Sequence, residues 1–131
     1  MMCGVGVMYR VMIVDDYEPY LQLVSHTLGQ DKDFEVVATA SSGEEALRLA
    51  DQVCPGLVLM DVELGDGMSG IEATRRILEC HPNVKVVVLS MYHGTEYARL
   101  ATQVGALAFI PKQDFSLERL TEVLRHSQGN E

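Results

Sequence analysis

The sequence predicts a doubly wound α/β domain built on five parallel strands. Three observations predict it. Short apolar runs and segments with helical apolar spacing alternate five times along the chain. The apolar runs deliver polar residues at or just after their carboxyl ends: Asp15, Asp16, Asp61, Ser90 and Lys112. The run Leu57–Met60 has no polar alternation, which suits a central strand covered on both faces. Right-handed crossovers and helical cover on both sides make the doubly wound sheet the natural solution.

The first strand is read as Tyr9–Val14, ending in Asp15 and Asp16. Pro19 suits the first turn of a helix, where its missing N–H costs nothing. Leu21, Val24 and Leu28 continue that helix at apolar spacing, and Gly29 stops it. Val36-Val37-Ala38 is the second strand. Ser42 and Glu45 form an S-x-x-E capping pattern that predicts a helix from Gly43 to about Asp51. Pro55 and Gly56 then break the chain before Leu57–Met60 and Asp61. A turn-rich loop, Gly65–Gly70, leads to a second capping pattern at Ser69 and Glu72. In the helix it opens, Ile77 and Leu78 are expected to be buried. Val84–Leu89, mostly valine, forms the fourth strand and delivers Ser90. Thr95–Gln103 is a helix ended by Gly105. Leu107–Ile110 is the fifth strand, stopped by Pro111 and followed by Lys112. Ser116 caps the last helix, with Phe115 and Leu120 spaced as a hydrophobic staple.

Composition narrows the function classes. The 131 residues suit one domain, and 47% hydrophobic against 22% charged residues indicates a globular chain. Ten Lys+Arg against 19 Asp+Glu give a net charge of -9, which repels phosphate backbones, so no direct nucleic-acid binding is expected. No apolar run reaches membrane-spanning length. Three cysteines, Cys3, Cys54 and Cys80, make no even framework and no CxxC, which points to a reduced, cytoplasmic setting. Residues 1–8 read as a loose leader. The histidines His26, His81, His93 and His126 are dispersed, without zinc-ligand spacing, and His81, His93 and His126 read as exposed polar residues.

In open α/β sheets, ligands bind beyond the carboxyl ends of the strands. There the sequence gathers the carboxylates of Asp15, Asp16 and Asp61, the Ser90 hydroxyl and the Lys112 ammonium. Crowded carboxylates need a compensating positive charge. An all-oxygen donor set suits a hard cation such as Mg²⁺, for which Mn²⁺ can substitute. With a cation and an ammonium in place, one carboxylate can act as a nucleophile towards phosphorus.

Four stretches, Val11–Asp16, Leu57–Asp61, Val87–Met91 and Phe109–Lys112, resemble the receiver domains of bacterial two-component response regulators. The resemblance spans Tyr9 to Arg125 and is most like receivers attached to helix-turn-helix output domains. It implies a flavodoxin-like sheet of order 2-1-3-4-5 over residues 9–126, with 127–131 a polar tail or the start of a linker. It makes Asp61 the phosphoacceptor and Asp15 and Asp16 the metal-binding acidic pair. The backbone carbonyl of Glu63 is a further metal ligand, Lys112 the active-site lysine, Ser90 the switch hydroxyl and Phe109 the switch aromatic. It implies a phosphohistidine donor, on a sensor histidine kinase or a histidine phosphotransfer protein. The face formed by helix 4, strand 5 and helix 5 would switch to regulate a partner or a DNA-binding output domain beyond this chain, with a phosphorylation-dependent dimer as one outcome. Self-phosphotransfer and slow self-dephosphorylation, without turnover, are the expected chemistry.

Two other functions compete. One is an interaction module that uses the same fold without phosphorylation. The other is a small metal-dependent phosphatase, disfavoured because Val62 and Glu63 after Asp61 do not make the D-x-D of phosphoaspartate phosphatases. The sequence also departs from the family pattern. Gly65 stands where proline is usual, and Gly70 falls one residue late, implying an insertion within Gly65–Met68. Gln113 follows the lysine where many relatives have proline. The Ile110–Pro111 bond is expected to be trans.

Overall fold

The computed structural model describes residues 8–92 and 95–129. The leader up to Val7, Cys3, His93 and the last two residues of the expected tail lie outside the described residues.

Among the described residues, eleven elements follow in order: β1 (Tyr9–Val14), α1 (Glu18–Gly29), β2 (Phe34–Ala40), α2 (Gly43–Val53), β3 (Leu57–Asp61), α3 (Gly70–Cys80), β4 (Lys85–Ser90), α4 (Thr95–Gln103), β5 (Ala108–Pro111), the 3₁₀ turn η1 (Lys112–Asp114) and α5 (Leu117–Gly129). All strand pairs are parallel, in the order β2-β1-β3-β4-β5. The period-2 pleat sends alternate residues to opposite faces. Met12, Val14, Val58, Met60, Val86 and Val88 join Ala46, Ala73, Ile77 and Ala101 of α2, α3 and α4. Val11, Ile13, Leu57, Leu59, Val87, Leu89 and Ile110 join Leu21, Val24 and Leu28 of α1 and Leu120 and Leu124 of α5. β3 is buried along its whole length, which explains its unbroken apolar run. Burying each such Leu or Ile contributes roughly 1.5–3 kcal/mol.

The helix starts follow the serine signals. Ser42 Oγ accepts from Glu45 N at 3.1 Å, Ser69 Oγ from Glu72 N at 3.1 Å, and Ser116 Oγ from Arg119 N at 3.0 Å. Neither S-x-x-E pattern closes as a full reciprocal box. Glu45 reaches one residue further, to Ser41 N at 2.8 Å, and Glu72 turns instead to Arg75 and Arg76.

Several readings need correction. β2 is longer than Val36–Ala38, because its ladder with β1 runs from Phe34 to Ala40 around an irregularity at Val11/Met12. α2 continues to Val53, and Cys54 closes it in the left-handed region at φ 49°. β5 starts and ends one residue late, with Pro111 as its last member beside Ser90. α5 runs three residues into the segment read as a polar tail. His81 is not freely exposed: its ring Nε2 meets Asp51 Oδ1 at 2.9 Å, tying the end of α3 to α2. The described residues contain no cis peptide bond, so Ile110–Pro111 is trans.

The stretch from Gly65 to Met68 turns on two glycines with positive φ, Gly65 at 72° and Gly67 at 93°. Gly70 has a different reason to be glycine. A Cβ there would lie 1.9 Å from the Asp61 carbonyl oxygen, so only glycine lets α3 start against the end of β3.

Candidate functional site

The chain passes from β1 outward to β2, then returns across β1 to β3. This reversal opens a crevice at the carboxyl ends of β1 and β3. Asp15 and Asp16 leave β1 there, and Asp61 ends β3. One carboxylate oxygen from each lies within 4.8 Å of the other two, and among the described residues this is the one such cluster of potential metal ligands. Asp15 and Asp61 are buried, whereas Asp16 is exposed.

Lys112 reaches this crevice from η1. Its ammonium lies 2.7 Å from Asp15 Oδ2 and 3.4 Å from Asp61 Oδ2, and its side chain is 8% exposed. Burial alone would pull the lysine down, but the two carboxylates outweigh it and hold the ammonium above the ordinary lysine value. Asp15 Oδ1 accepts from Tyr17 N at 2.8 Å, and Asp61 Oδ1 from Glu63 N at 3.2 Å. These backbone donors orient the carboxylates. Burial first, then the charge of Asp15, pushes Asp61 up to about 8, against the lowering effects of Lys112 and the Glu63 N–H.

A single ammonium does not offset three carboxylates. Asp15 Oδ2 is buried, and the Lys112 ammonium meets it at 2.7 Å. The donor set is all oxygen, and one of its members opens to solvent. These residues fit a hard divalent ion that keeps some of its waters.

Ser90, 0% exposed, ends β4 on the far side of Asp61. Its hydroxyl donates to Glu63 Oε2 at 2.8 Å and accepts from Tyr92 N at 3.0 Å. Met91 N approaches the other Glu63 oxygen at 3.4 Å. Glu63 therefore enters the site through its side chain as well, whereas the resemblance implied only its backbone carbonyl. Phe109 is half-buried, packed on the face covered by α2, α3 and α4.

Tyr20 is the residue the sequence reading missed. It sits on α1, its ring centroid lies 4.6 Å from the Lys112 ammonium, and its hydroxyl donates to the Lys112 carbonyl at 3.2 Å. Its position two after Glu18 on a half-buried helix face gave no signal beyond ordinary packing.

Comparison with known proteins agrees with this geometry. A family model described as the response regulator receiver domain matches residues 11–125. The chain is 36% identical over 105 residues to the response regulator GacA of Pseudomonas viridiflava, covering 80% of this chain and 49% of that protein. The chain thus spans about half the length of the curated relative. Among solved structures, it is similar to a LuxR-family two-component response regulator from Aurantimonas sp. SI85-9A1, with a TM-score of 0.84 and 29% identity, covering 93% of this chain and 86% of that one. It is also similar to the signal receiver domain of the response regulator NarL from Mycobacterium tuberculosis, with a TM-score of 0.83 and 25% identity over 94% of this chain and 98% of that one.

Proposed function

The chain belongs to the response regulator receiver domain family, and from that premise we propose that it is a Mg²⁺-dependent phosphoacceptor that takes a phosphoryl group onto Asp61. The observation that carries this reading is the convergence of Asp15, Asp16 and Asp61, with the Lys112 ammonium set against Asp15 and Asp61. Asp15, Asp16, Asp61 and the Glu63 backbone carbonyl would hold the ion. When bound, Mg²⁺ supplies the charge neutralisation that lets the raised Asp61 carboxyl ionise and lets anionic phosphoryl oxygens approach.

The donor is a phosphohistidine on a sensor histidine kinase or a histidine phosphotransfer protein. One Asp61 oxygen forms the new P–O bond as the P–N bond to the donor imidazole breaks, and that bond's electron pair leaves on the imidazole nitrogen. Lys112 holds a phosphoryl oxygen as a nearly buried point charge. Ser90 releases Glu63 and donates its hydroxyl to the phosphoryl group. Exchanging one acceptor for another shifts the population between two packings, because the phosphoryl group contacts them unequally. Phe109, half-buried beside β4, follows that change, and the α4–β5–α5 face repacks. We assign this face the role of governing an output segment, with a DNA-binding output and a phosphorylation-dependent dimer as its forms. The cytoplasm, where such donors act, is the proposed setting.

Acetyl phosphate with Mg²⁺, followed by intact mass, tests the proposal. The wild-type chain gains one phosphoryl mass, chelation of Mg²⁺ removes the gain, and Asp61→Asn never acquires it. A folded wild-type chain that takes no phosphoryl group from acetyl phosphate, phosphoramidate or a phosphorylated histidine protein contradicts the proposal.

A further inference from the structure

Lys112 is asked to do precise work from an exposed stretch of chain. It opens η1, a three-residue turn with no buried member, and Gln113 and Asp114 beside it face solvent. A lysine side chain carries large rotamer freedom, and its ammonium is a point charge without directional preference. Its two carboxylate partners constrain the charge but not the loop that carries it. Something else must fix the stem.

Tyr20 supplies this from α1, through two atoms of different character. The hydroxyl donates to the Lys112 backbone carbonyl at 3.2 Å, across 92 positions of sequence, and so ties the turn to α1. The ring face lies 4.6 Å from the ammonium, within cation–π range. The ring is half-buried against the core beneath α1 and α5, which fixes the platform. Burial and the nearby charges of Asp15 and Asp61 raise the phenol well above its ordinary value, so the hydroxyl stays a donor.

We infer that Tyr20 is the positioning residue for Lys112: the hydroxyl anchors the turn, and the ring holds the ammonium between Asp15 and Asp61, where a phosphoryl oxygen would meet it. This inference rests on the phosphoacceptor reading for its effect on rate, though not for the contact itself. A tyrosine that only filled the core would be indifferent to whether the neighbouring side chain is charged.

Three variants on the full chain separate the possibilities, each checked by thermal melting. Tyr20→Phe keeps the ring and loses the anchor. Tyr20→Leu loses both. Tyr20→Leu combined with Lys112→Ala asks whether Tyr20 acts through the lysine. Initial rates of phosphoryl gain from acetyl phosphate with Mg²⁺ should fall about two- to fivefold in Tyr20→Phe, the lower half of the range for one neutral hydrogen bond. They should fall about tenfold in Tyr20→Leu, as expected for a partly desolvated cation–π contact added to that bond. The double variant should be no slower than Lys112→Ala alone. In the metal-free protein, the Lys112 side-chain methylene protons should be shifted upfield by the ring in wild type and Tyr20→Phe, and lose that shift in Tyr20→Leu.

A folded Tyr20→Leu chain that labels at the wild-type rate overturns the inference. So does a double variant slowed by the full Tyr20→Leu factor on top of Lys112→Ala, or a lysine whose resonances do not respond to Tyr20. If wild type itself takes no phosphoryl group, the phosphoacceptor reading falls, and the resonance shift decides on the Tyr20 contact alone.

Discussion

Two charged regions of this molecule use the same side-chain chemistry to opposite ends. In the crevice, Asp15, Asp61 and Lys112 are nearly excluded from water, and burial with carboxylate repulsion drives Asp61 up to about 8. On the outer face of α3, Glu72 pairs with Arg75 at i+3 and Arg76 at i+4, and Arg75 also reaches Glu79 at 2.6 Å. Hydrogen bonds from Arg75 and then Arg76 draw Glu72 down to about 2. The exposed network satisfies its charges locally and does little else, because solvent screens it. The buried group is held in tension, an arrangement costly in the absence of a ligand and useful in its presence.

The largest expected effect falls on the crevice lysine. Lys112→Ala should slow phosphoryl gain from acetyl phosphate by about a hundredfold, the usual worth of a preorganised charge at a developing anion. A loss of less than a few-fold would show that Asp61 does not depend on that ammonium.

Next comes stability. Between the ordinary carboxylate value of 3.8 and about 8, the folded metal-free chain keeps a proton on Asp61 that the unfolded chain has released. Stability therefore falls as pH rises through this window. Asp61→Asn removes the penalty and should stabilise the metal-free chain at pH 8 by an amount on the order of 1–3 kcal/mol, less at pH 5. Urea melts at the two pH values measure it. A gain that does not grow between them removes the tension from the account.

A smaller effect belongs to Glu63. Glu63→Ala frees Ser90 from its 2.8 Å bond and removes one negative charge near Asp61. Beryllium fluoride with Mg²⁺ should then bind about tenfold tighter, the lower range for a hydrogen bond to a charged acceptor. Unchanged or weaker binding, followed by tyrosine fluorescence, would mean Glu63 does not restrain Ser90.

The smallest effect is on α3. Glu72→Gln should leave phosphoryl gain unaltered and neutral-pH melting close to wild type, because both partners face solvent. Whatever Glu72 contributes is present at neutral pH and lost only as acid approaches its lowered value. A measurable change in labelling would erase the contrast between the two regions.

Much of the crevice was legible because it sits where periodicity stops. Asp15, Asp61 and Ser90 end or follow apolar runs, and a doubly wound sheet sends such ends to one rim. Ser42, Ser69 and Ser116 marked helix starts because a cap acts within three residues. What stayed hidden acts over longer separations. The Glu63–Ser90 bond spans 27 positions, His81–Asp51 spans 30, and Tyr20–Lys112 spans 92. Each depends on which way a side chain turns, and spacing carries no information about that. Gly70 lies between the two cases. Its displacement by one residue was visible, but the reason it must be glycine, its approach to the Asp61 carbonyl, emerges only once β3 and α3 are packed.

The most direct measurement locates the modification. The chain is treated with acetyl phosphate and Mg²⁺, reduced with borohydride so that an acyl phosphate becomes homoserine, and sequenced by tandem mass spectrometry. Homoserine at position 61 alone is the expected result. Reduction product at Asp15, Asp16 or Glu63, or none anywhere in a folded chain, would contradict it.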